Sequence, residues 1–290
     1  MSPRSKTIVI LIALVGIFFL PTKKTLPSEK DNIVPRAFSV PKENLEAKSA
    51  LVVDLTRGTV LFEKNADDVL PLASLTKIVS LLTVFDEISP NEIITVSESA
   101  TKTEGGGDIQ PGEHFFAKDL AAFAMTESSN DATIALVETV AKHNSIGPSA
   151  AESWFLDRMR QKAQNLGAST MQFLNTTGLD ISQNEAGAKG SARDIMHVVI
   201  NSYDSFLWRA SEQNTVTAIE GTRHILKPTN KISYDLAGLV GSKTGFTDLA
   251  GGNLLVLIEH PIGQPIGIVI LGSSQEGRFS DVQTIIKSLQ

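Results

Sequence analysis

The spacing of apolar positions changes several times along the chain, and each change marks an element. Ser49–Leu55 (SALVVDL) is a short apolar run with β-branched residues, Arg57-Gly58 supplies a turn, and Thr59–Glu63 (TVLFE) is a second run. Together they predict a β-hairpin. From Ser74 the period lengthens: Leu75, Ile78, Leu82 and Phe85 recur every three or four residues, which predicts a helix with one buried face. Further helices are expected over Lys118–Thr126, Asp131–Lys142 and Glu152–Leu166, with Gly167 ending the last. Ser191 opens another, and Asp194 three residues later completes a capping-box-like pair. Strand patterns return as a small hairpin, Thr215–Ile219 and Thr222–Leu226, and then as a meander of Leu239–Thr244, Gly252–His260 and Pro265–Leu271. Glu276–Leu289 closes the chain as a helix, with Phe279, Val282, Ile286 and Leu289 on one face.

The order strands, helices, strands, helix predicts an α+β fold. If the first hairpin joins the late meander, they form one mostly antiparallel sheet of about five strands, flanked by helices. The helical middle then becomes an inserted lobe, and the cleft between lobes is where a site is expected.

The N-terminus changes this picture at one end. Arg4 and Lys6 precede an apolar run from Ile8 to Leu20, which Pro21, Lys23 and Lys24 end. A basic start and a short apolar stretch read as an export signal or membrane anchor over residues 1–22. The run falls short of the about 20 residues of a comfortable membrane span. Residues 23–46, rich in Lys, Pro, Ser, Glu and Asn, read as a linker. Residues 47–290 are left as the folded domain, expected on the outer face of the cytoplasmic membrane, in the periplasm or in the cell-wall space.

Composition narrows the chemistry. The absence of cysteine excludes disulfides, thiolate metal sites and cysteine nucleophiles. A net charge of −6 and no basic run beyond the N-terminus argue against nucleic acid as a partner. No H-E-x-x-H spacing appears, no G-x-S-x-G elbow, and none of His114, His143, His197, His224 and His260 lies in a recognisable triad context. No metal or cofactor is expected.

Three short motifs remain. In Ser74-Leu75-Thr76-Lys77 the serine and lysine stand three apart, so a helix puts both on one face. A serine hydroxyl needs a base beside it, and a lysine serves once burial or a second cation lowers its pKa. The first-turn position of Ser74 also offers its N–H to an oxyanion. The plainer reading is a serine N-cap followed by a solvated lysine. In Ser128-Ser129-Asn130, Ser128 is placed to relay a proton to a leaving amine and Asn130 to hold a substrate amide and orient Lys77; the plainer reading is a helix cap at Ser129 or Asn130. In Lys243-Thr244-Gly245, the lysine adds positive charge near Lys77, an edge strand can pair with an extended peptide, and Gly245 gives close approach. The N–H of Phe246 would be the second oxyanion donor, and the plainer reading is a strand end with an exposed lysine. Each motif alone is weak; S-x-x-K opening a helix, S-x-N between helices and K-T-G on a late strand form an ordered set.

That set resembles the D-alanyl-D-alanine carboxypeptidases, the S11 serine peptidases among the low-molecular-mass penicillin-binding proteins. PLASLTK, SSNDA and GSKTGFTDLAG look like the three family motifs, with Ser129 in place of a common glycine, where it adds a side chain beside the cleft. FLNTTGLD and GSARDI are similar to family spacer motifs. The resemblance spans residues 47–290 and implies a serine β-lactamase/penicillin-binding-protein-like fold. It implies a peptidoglycan stem peptide ending in D-Ala-D-Ala as substrate, with β-lactams as covalent inhibitors. Ser74 would be acylated and Lys77 would be the general base. Ser128 and Asn130 would assist, while Lys243, Thr244, Gly245 and Phe246 line the site. Arg278 would bind the terminal carboxylate, or be a surface charge at a helix start.

The chain ends with this region, a layout similar to relatives that cut cross-links as D,D-endopeptidases, so that activity stands as the alternative. A β-lactamase would share the motifs, but no E-x-x-L-N pattern lies between Asn130 and Lys243 to drive fast deacylation. A non-catalytic exported binding protein would not need Ser74, Lys77, Asn130 and Lys243 intact.

Overall fold

The computed structural model describes residues 40–289. The expected export segment and most of the expected linker lie outside the described residues. Along the chain, β1 (Ser49–Asp54) and β2 (Thr59–Lys64) form the first hairpin, and β3 (Leu70–Pro71) leads through a 3-10 turn (Ala73–Leu75) into α1 (Thr76–Glu87). β4 (Ile93–Thr95) pairs with β5 (His114–Phe116), followed by α2 (Ala117–Ala122), a π-turn (Phe123–Glu127), α3 (Asn130–His143) and α4 (Pro148–Asn165). β6 (Gln172–Phe173) and β7 (Ala188–Gly190) join β3 in a small sheet, and α5 (Ala192–Ile200) and α6 (Leu207–Ala210) follow. β8 (Thr215–Thr217) and β9 (Arg223–Ile225) are a hairpin. The chain closes with β10 (Leu239–Thr247), β11 (Gly251–Glu259), β12 (Pro265–Ser273) and α7 (Gly277–Ser288).

The hairpin and the meander share one antiparallel sheet, in the order β10-β11-β12-β1-β2. Ser49 pairs with Leu271 and Asp54 with Ile266, so the first strand lies beside the last. Period-2 geometry sends alternate residues to opposite faces. Leu51, Val53, Leu255, Leu257, Val269 and Leu271 face the helical lobe, with Leu75, Ile78 and Val79 of the α1 region. Ala50, Val52, Leu254, Val256, Ile268 and Ile270 face the other way, onto Phe279, Val282 and Ile285 of α7. Both faces are covered, which is why SALVVDL and NLLVLI carry no polar alternation.

Three expectations change in detail. The helix expected from Ser74 starts as a 3-10 turn, and regular α1 begins at Thr76. The helix expected over Lys118–Thr126 starts at Ala117 and loosens into the π-turn, delivering Ser128 in a left-handed conformation (φ 62°). The linker expected over residues 23–46 has a packed end: Val40 and Leu45 are buried in the core beneath α7, so the folded body starts by Val40 rather than Ala47.

A buried carboxylate fixes that end. Asp281 of α7 accepts the N–H groups of Glu46 and Ala47, both at 2.9 Å, and the Ser273 hydroxyl at 2.8 Å. Removing it leaves three donors without a partner, and buried unpaired donors are expensive. Asp281→Ala should therefore lower stability by about 2–4 kcal/mol in urea unfolding, with Asp281→Asn recovering part of the loss. A change below about 0.5 kcal/mol would show that the carboxylate does not hold the N-terminal segment.

Candidate active site

The turn that carries Ser74 is held by close packing. Ala73, just before it, adopts a left-handed conformation (φ 47°), costly for a residue with a Cβ. The Thr76 hydroxyl donates to the Ala73 carbonyl at 2.7 Å. Two glycines press on the turn from opposite elements. A Cβ on Gly178 would stand 1.9 Å from the Ala73 oxygen, and one on Gly245 would stand 2.9 Å from the Leu72 oxygen and 3.2 Å from the Ser74 nitrogen. The place where a Gly245 side chain would go is thus filled by the Ser74 turn itself. Gly245 gives close approach, as expected, but to this turn rather than to a ligand.

One helical turn on, Lys77 reaches back. Its Nζ donates to Ser74 Oγ at 2.8 Å and to the Thr177 carbonyl at 3.0 Å. Its side chain is fully buried, and that desolvation pulls the ammonium from its usual range down to about 7. Once neutral, the amine can accept the Ser74 proton across the same 2.8 Å.

Strand β10 brings the second cation. Lys243 is 1% exposed, and its Nζ donates to Ser128 Oγ at 2.7 Å and to the Thr244 carbonyl at 2.9 Å. Desolvation, then the positive charges of Lys77 and Arg278, hold it well below the usual lysine range. Arg278 is not a surface charge. It is 5% exposed, donates through Nη1 to the Gly245 carbonyl at 2.7 Å, and lies over the Phe279 ring at 4.7 Å. Burial lowers its pKa as well. Three cations from α1, β10 and α7 therefore converge, and none forms an ion pair among the described residues.

The second motif is partly rearranged from expectation. Ser128 faces Lys243. Ser129 does not project into the cleft: it is fully buried, and its Oγ caps α3 by accepting the Ala132 N–H at 3.1 Å. Asn130 does not orient Lys77. Its side-chain amide donates to the Glu104 carbonyl, its N–H to the Gly105 carbonyl at 3.1 Å, and its buried Oδ1 has no partner. The second anchor of Lys77 is instead Thr177, within the NTTG segment. Asn followed closely by Gly marks a structured turn, the signal that could have singled it out. Thr229 also escaped the sequence reading: the Thr244 hydroxyl donates to it at 2.6 Å, and it donates to the Thr126 carbonyl at 3.1 Å. Phe246 is 43% exposed, next to Gly245 on the same strand. No group of three or more His, Asp or Glu is placed to hold a metal ion among the described residues.

A serine beside a desolvated amine, in a pocket of positive charge, is equipped to take up an acyl group covalently from an anionic ligand. Comparison with known proteins agrees. The family model described as D-alanyl-D-alanine carboxypeptidase matches residues 36–274. The chain is 29% identical to a D-alanyl-D-alanine carboxypeptidase of Bacillus subtilis, over 83% of this chain and 61% of that one. It is 26% identical to a D-alanyl-D-alanine endopeptidase of Pseudomonas aeruginosa, over 97% and 88%. The chain thus spans about three fifths of the Bacillus relative's length. Among solved structures, the ampicillin-bound form of a penicillin-binding protein from Listeria monocytogenes superposes with a TM-score of 0.69 at 26% identity, covering 86% of this chain and 99% of that one. A mutant of a Streptomyces DD-transpeptidase gives 0.76 at 20% identity over 86% and 99%, a likeness of fold. The architecture is that of the penicillin-binding proteins.

Burying Lys77 has a measurable cost. Below about pH 7 both folded and unfolded chains hold its proton, and the folded chain carries a buried cation. Between that point and the unfolded value of 10.5 only the unfolded chain holds it, so stability rises with pH across this window. Lys77→Met should therefore be more stable than the wild type at pH 6, by on the order of a few kcal/mol, with a higher melting temperature and a margin that shrinks towards alkaline pH. Equal melting temperatures at all pH values would show that Lys77 carries no such cost.

Proposed function

The chain belongs to the D-alanyl-D-alanine carboxypeptidase family, and from that membership we propose that it is a serine D,D-peptidase acting on peptidoglycan stem peptides that end in D-Ala-D-Ala. The observation that carries the reading is the 2.8 Å contact between Ser74 Oγ and a Lys77 amine that burial brings to about 7.

In the proposed reaction, Ser74 Oγ attacks the carbonyl carbon of the penultimate D-Ala, and its proton passes to neutral Lys77. The oxyanion forms beside the Ser74 turn and β10, with the N–H groups of Ser74 and Phe246 as its donors. The C–N bond then breaks as that proton passes from Lys77 through Ser128, whose oxygen is held by Lys243, to the departing D-Ala amine, leaving Lys77 neutral again. Water attacks the acyl-enzyme, Lys77 accepts the water proton, and Ser74 recovers its own as the shortened peptide leaves. Lys243, Arg278 and Thr244 supply the positive and polar environment for the terminal carboxylate. Asn130, with an unpaired buried Oδ1, is the group left to meet a substrate amide.

Cleavage of peptide cross-links as a D,D-endopeptidase is the second reading, favoured by the alignment along 97% of this chain with the Pseudomonas endopeptidase. Both reactions share the acyl-enzyme and differ in the amine that leaves. β-Lactams would acylate Ser74 in either case and be released slowly. Peptidoglycan lies outside the cytoplasmic membrane, and Arg4, Lys6 and the apolar run Ile8–Leu20 support export to that side, with residues 1–22 as signal or anchor.

Incubating the full chain with a fluorescent penicillin should give a stable covalent adduct that Ser74→Ala abolishes without loss of fold. Failure of the folded wild type to label would overturn the acyl-transfer reading. The acylation rate should rise with pH through a single ionisation near 7, because Lys77 must be neutral to take the proton; a rate flat from pH 5 to 9 would remove Lys77 as the base. Free D-Ala from a pentapeptide identifies the carboxypeptidase, and monomers released from cross-linked dimers identify the endopeptidase.

A further inference from the structure

The residue that shapes the anchor of Lys77 lies outside the three motifs. Asn175 spends its whole side-chain amide inside one turn. Its Oδ1 accepts the N–H of Gly178 at 2.7 Å and of Thr177 at 3.2 Å, and its Nδ2 donates to the Leu179 carbonyl at 2.7 Å. Its backbone N–H and that of Leu174 both donate to the Gly187 carbonyl, at 3.2 and 2.8 Å. Gly187 leaves room for the amide: a Cβ there would stand 2.4 Å from Nδ2 and 2.8 Å from Oδ1.

With its N–H groups turned inward onto Asn175, the turn presents two successive carbonyls to α1. The Thr176 oxygen accepts the Ser80 hydroxyl at 2.6 Å, and the Thr177 oxygen accepts Lys77 Nζ at 3.0 Å. Residues 77 and 80 stand one turn apart on α1, so the carbonyls dock on one helix face. The next residue, Gly178, packs against the Ala73 carbonyl, just before Ser74. One side chain therefore shapes the support of both members of the Ser74–Lys77 pair.

We propose that Asn175 is a positioning residue for catalysis, acting through the Thr177 carbonyl on Lys77 and through Gly178 on the Ser74 turn. The proposal rests on the reading of Ser74 and Lys77 as nucleophile and base. The turn needs an acceptor and a donor in one short planar group, which the amide provides. A carboxylate would keep the acceptor and set an oxygen against the Leu179 carbonyl. Lysine has a long flexible stem, and without the Thr177 carbonyl its amine keeps, among the described residues, the hydrogen bond to Ser74 Oγ alone. The charged group near Lys77 from the sheet is Lys243, with Arg278 of α7 behind it. Asp180, at the end of the same turn, is engaged by the Thr247 hydroxyl at 3.0 Å and the Leu249 N–H at 3.2 Å.

The test compares the full-length wild type with Asn175→Ala and Asn175→Asp. Penicillin acylation rates are measured against pH, the Lys77 titration is followed by NMR on carbon-13 lysine-labelled protein, and thermal unfolding is recorded alongside. Asn175→Ala should lose about 10- to 100-fold in acylation rate, the scale of a small misplacement of reacting groups. Its Lys77 midpoint should fall, because a carbonyl that favours the ammonium has moved. Asn175→Asp should keep more of its rate at alkaline pH, with the midpoint raised by the nearby carboxylate. Should Asn175→Ala not fold, the Asp variant and Asn175→Ser carry the comparison. A Lys77 midpoint unchanged from wild type in the folded variants overturns the proposal, whether or not rates fall. If the wild type is not acylated but the midpoint moves as stated, positioning stands and the peptidase reading is what fails.

Discussion

Two ammonium groups buried near one another, without a counter-ion among the described residues, set the terms for the rest of the molecule. Removing a lysine charge from water is costly, and a second buried cation nearby raises that cost. The fold meets it by lowering the pKa of both amines and by giving each one neutral oxygen from a serine and one from a backbone carbonyl. Lys77 comes from the helical lobe and Lys243 from the sheet, so the lobes must close tightly to keep both dry. The positive field that remains suits a ligand that ends in a carboxylate.

Backbone strain is the second expense, and it falls next to the hydroxyls. Ala73 precedes Ser74 and is left-handed, and Ser128 is left-handed itself. Such conformations persist where surrounding packing over-determines them. At Ala73 the packing comes from backbone: Gly178 on one side and Gly245 on the other admit no side chain without a clash. At Ser128 it comes from the π-turn before and the Ser129-capped helix after.

Most of the architecture was legible because both faces of the sheet are apolar and the helices carry clear periods. SALVVDL, the meander and the α1 stripe each named their element. The Ser74–Lys77 pair was legible because i and i+3 on a helix fixes contact by local geometry alone. What escaped depends on distant packing. Nothing local announces that Asn130 turns to the Glu104 carbonyl, or that Thr177, 100 residues from Lys77, is the lysine's anchor. Arg278 could be read as surface or site, and only the packing of α7 on the sheet, which carries its guanidinium to the Gly245 carbonyl, decided for burial. The packed end of the linker was hidden for the same reason, since Val40 and Leu45 are covered by a helix from the far terminus.

That joining of ends has a consequence in time. Ser49 finds its partner in Leu271, roughly 220 residues later. At a synthesis rate of about 5–20 residues per second, β1 waits roughly 10–45 seconds for the strand beside it. Until then the central sheet lacks its middle and no closed core exists around β1. Long-range pairing slows folding, and here it defers closure of the core until synthesis of the chain is nearly complete.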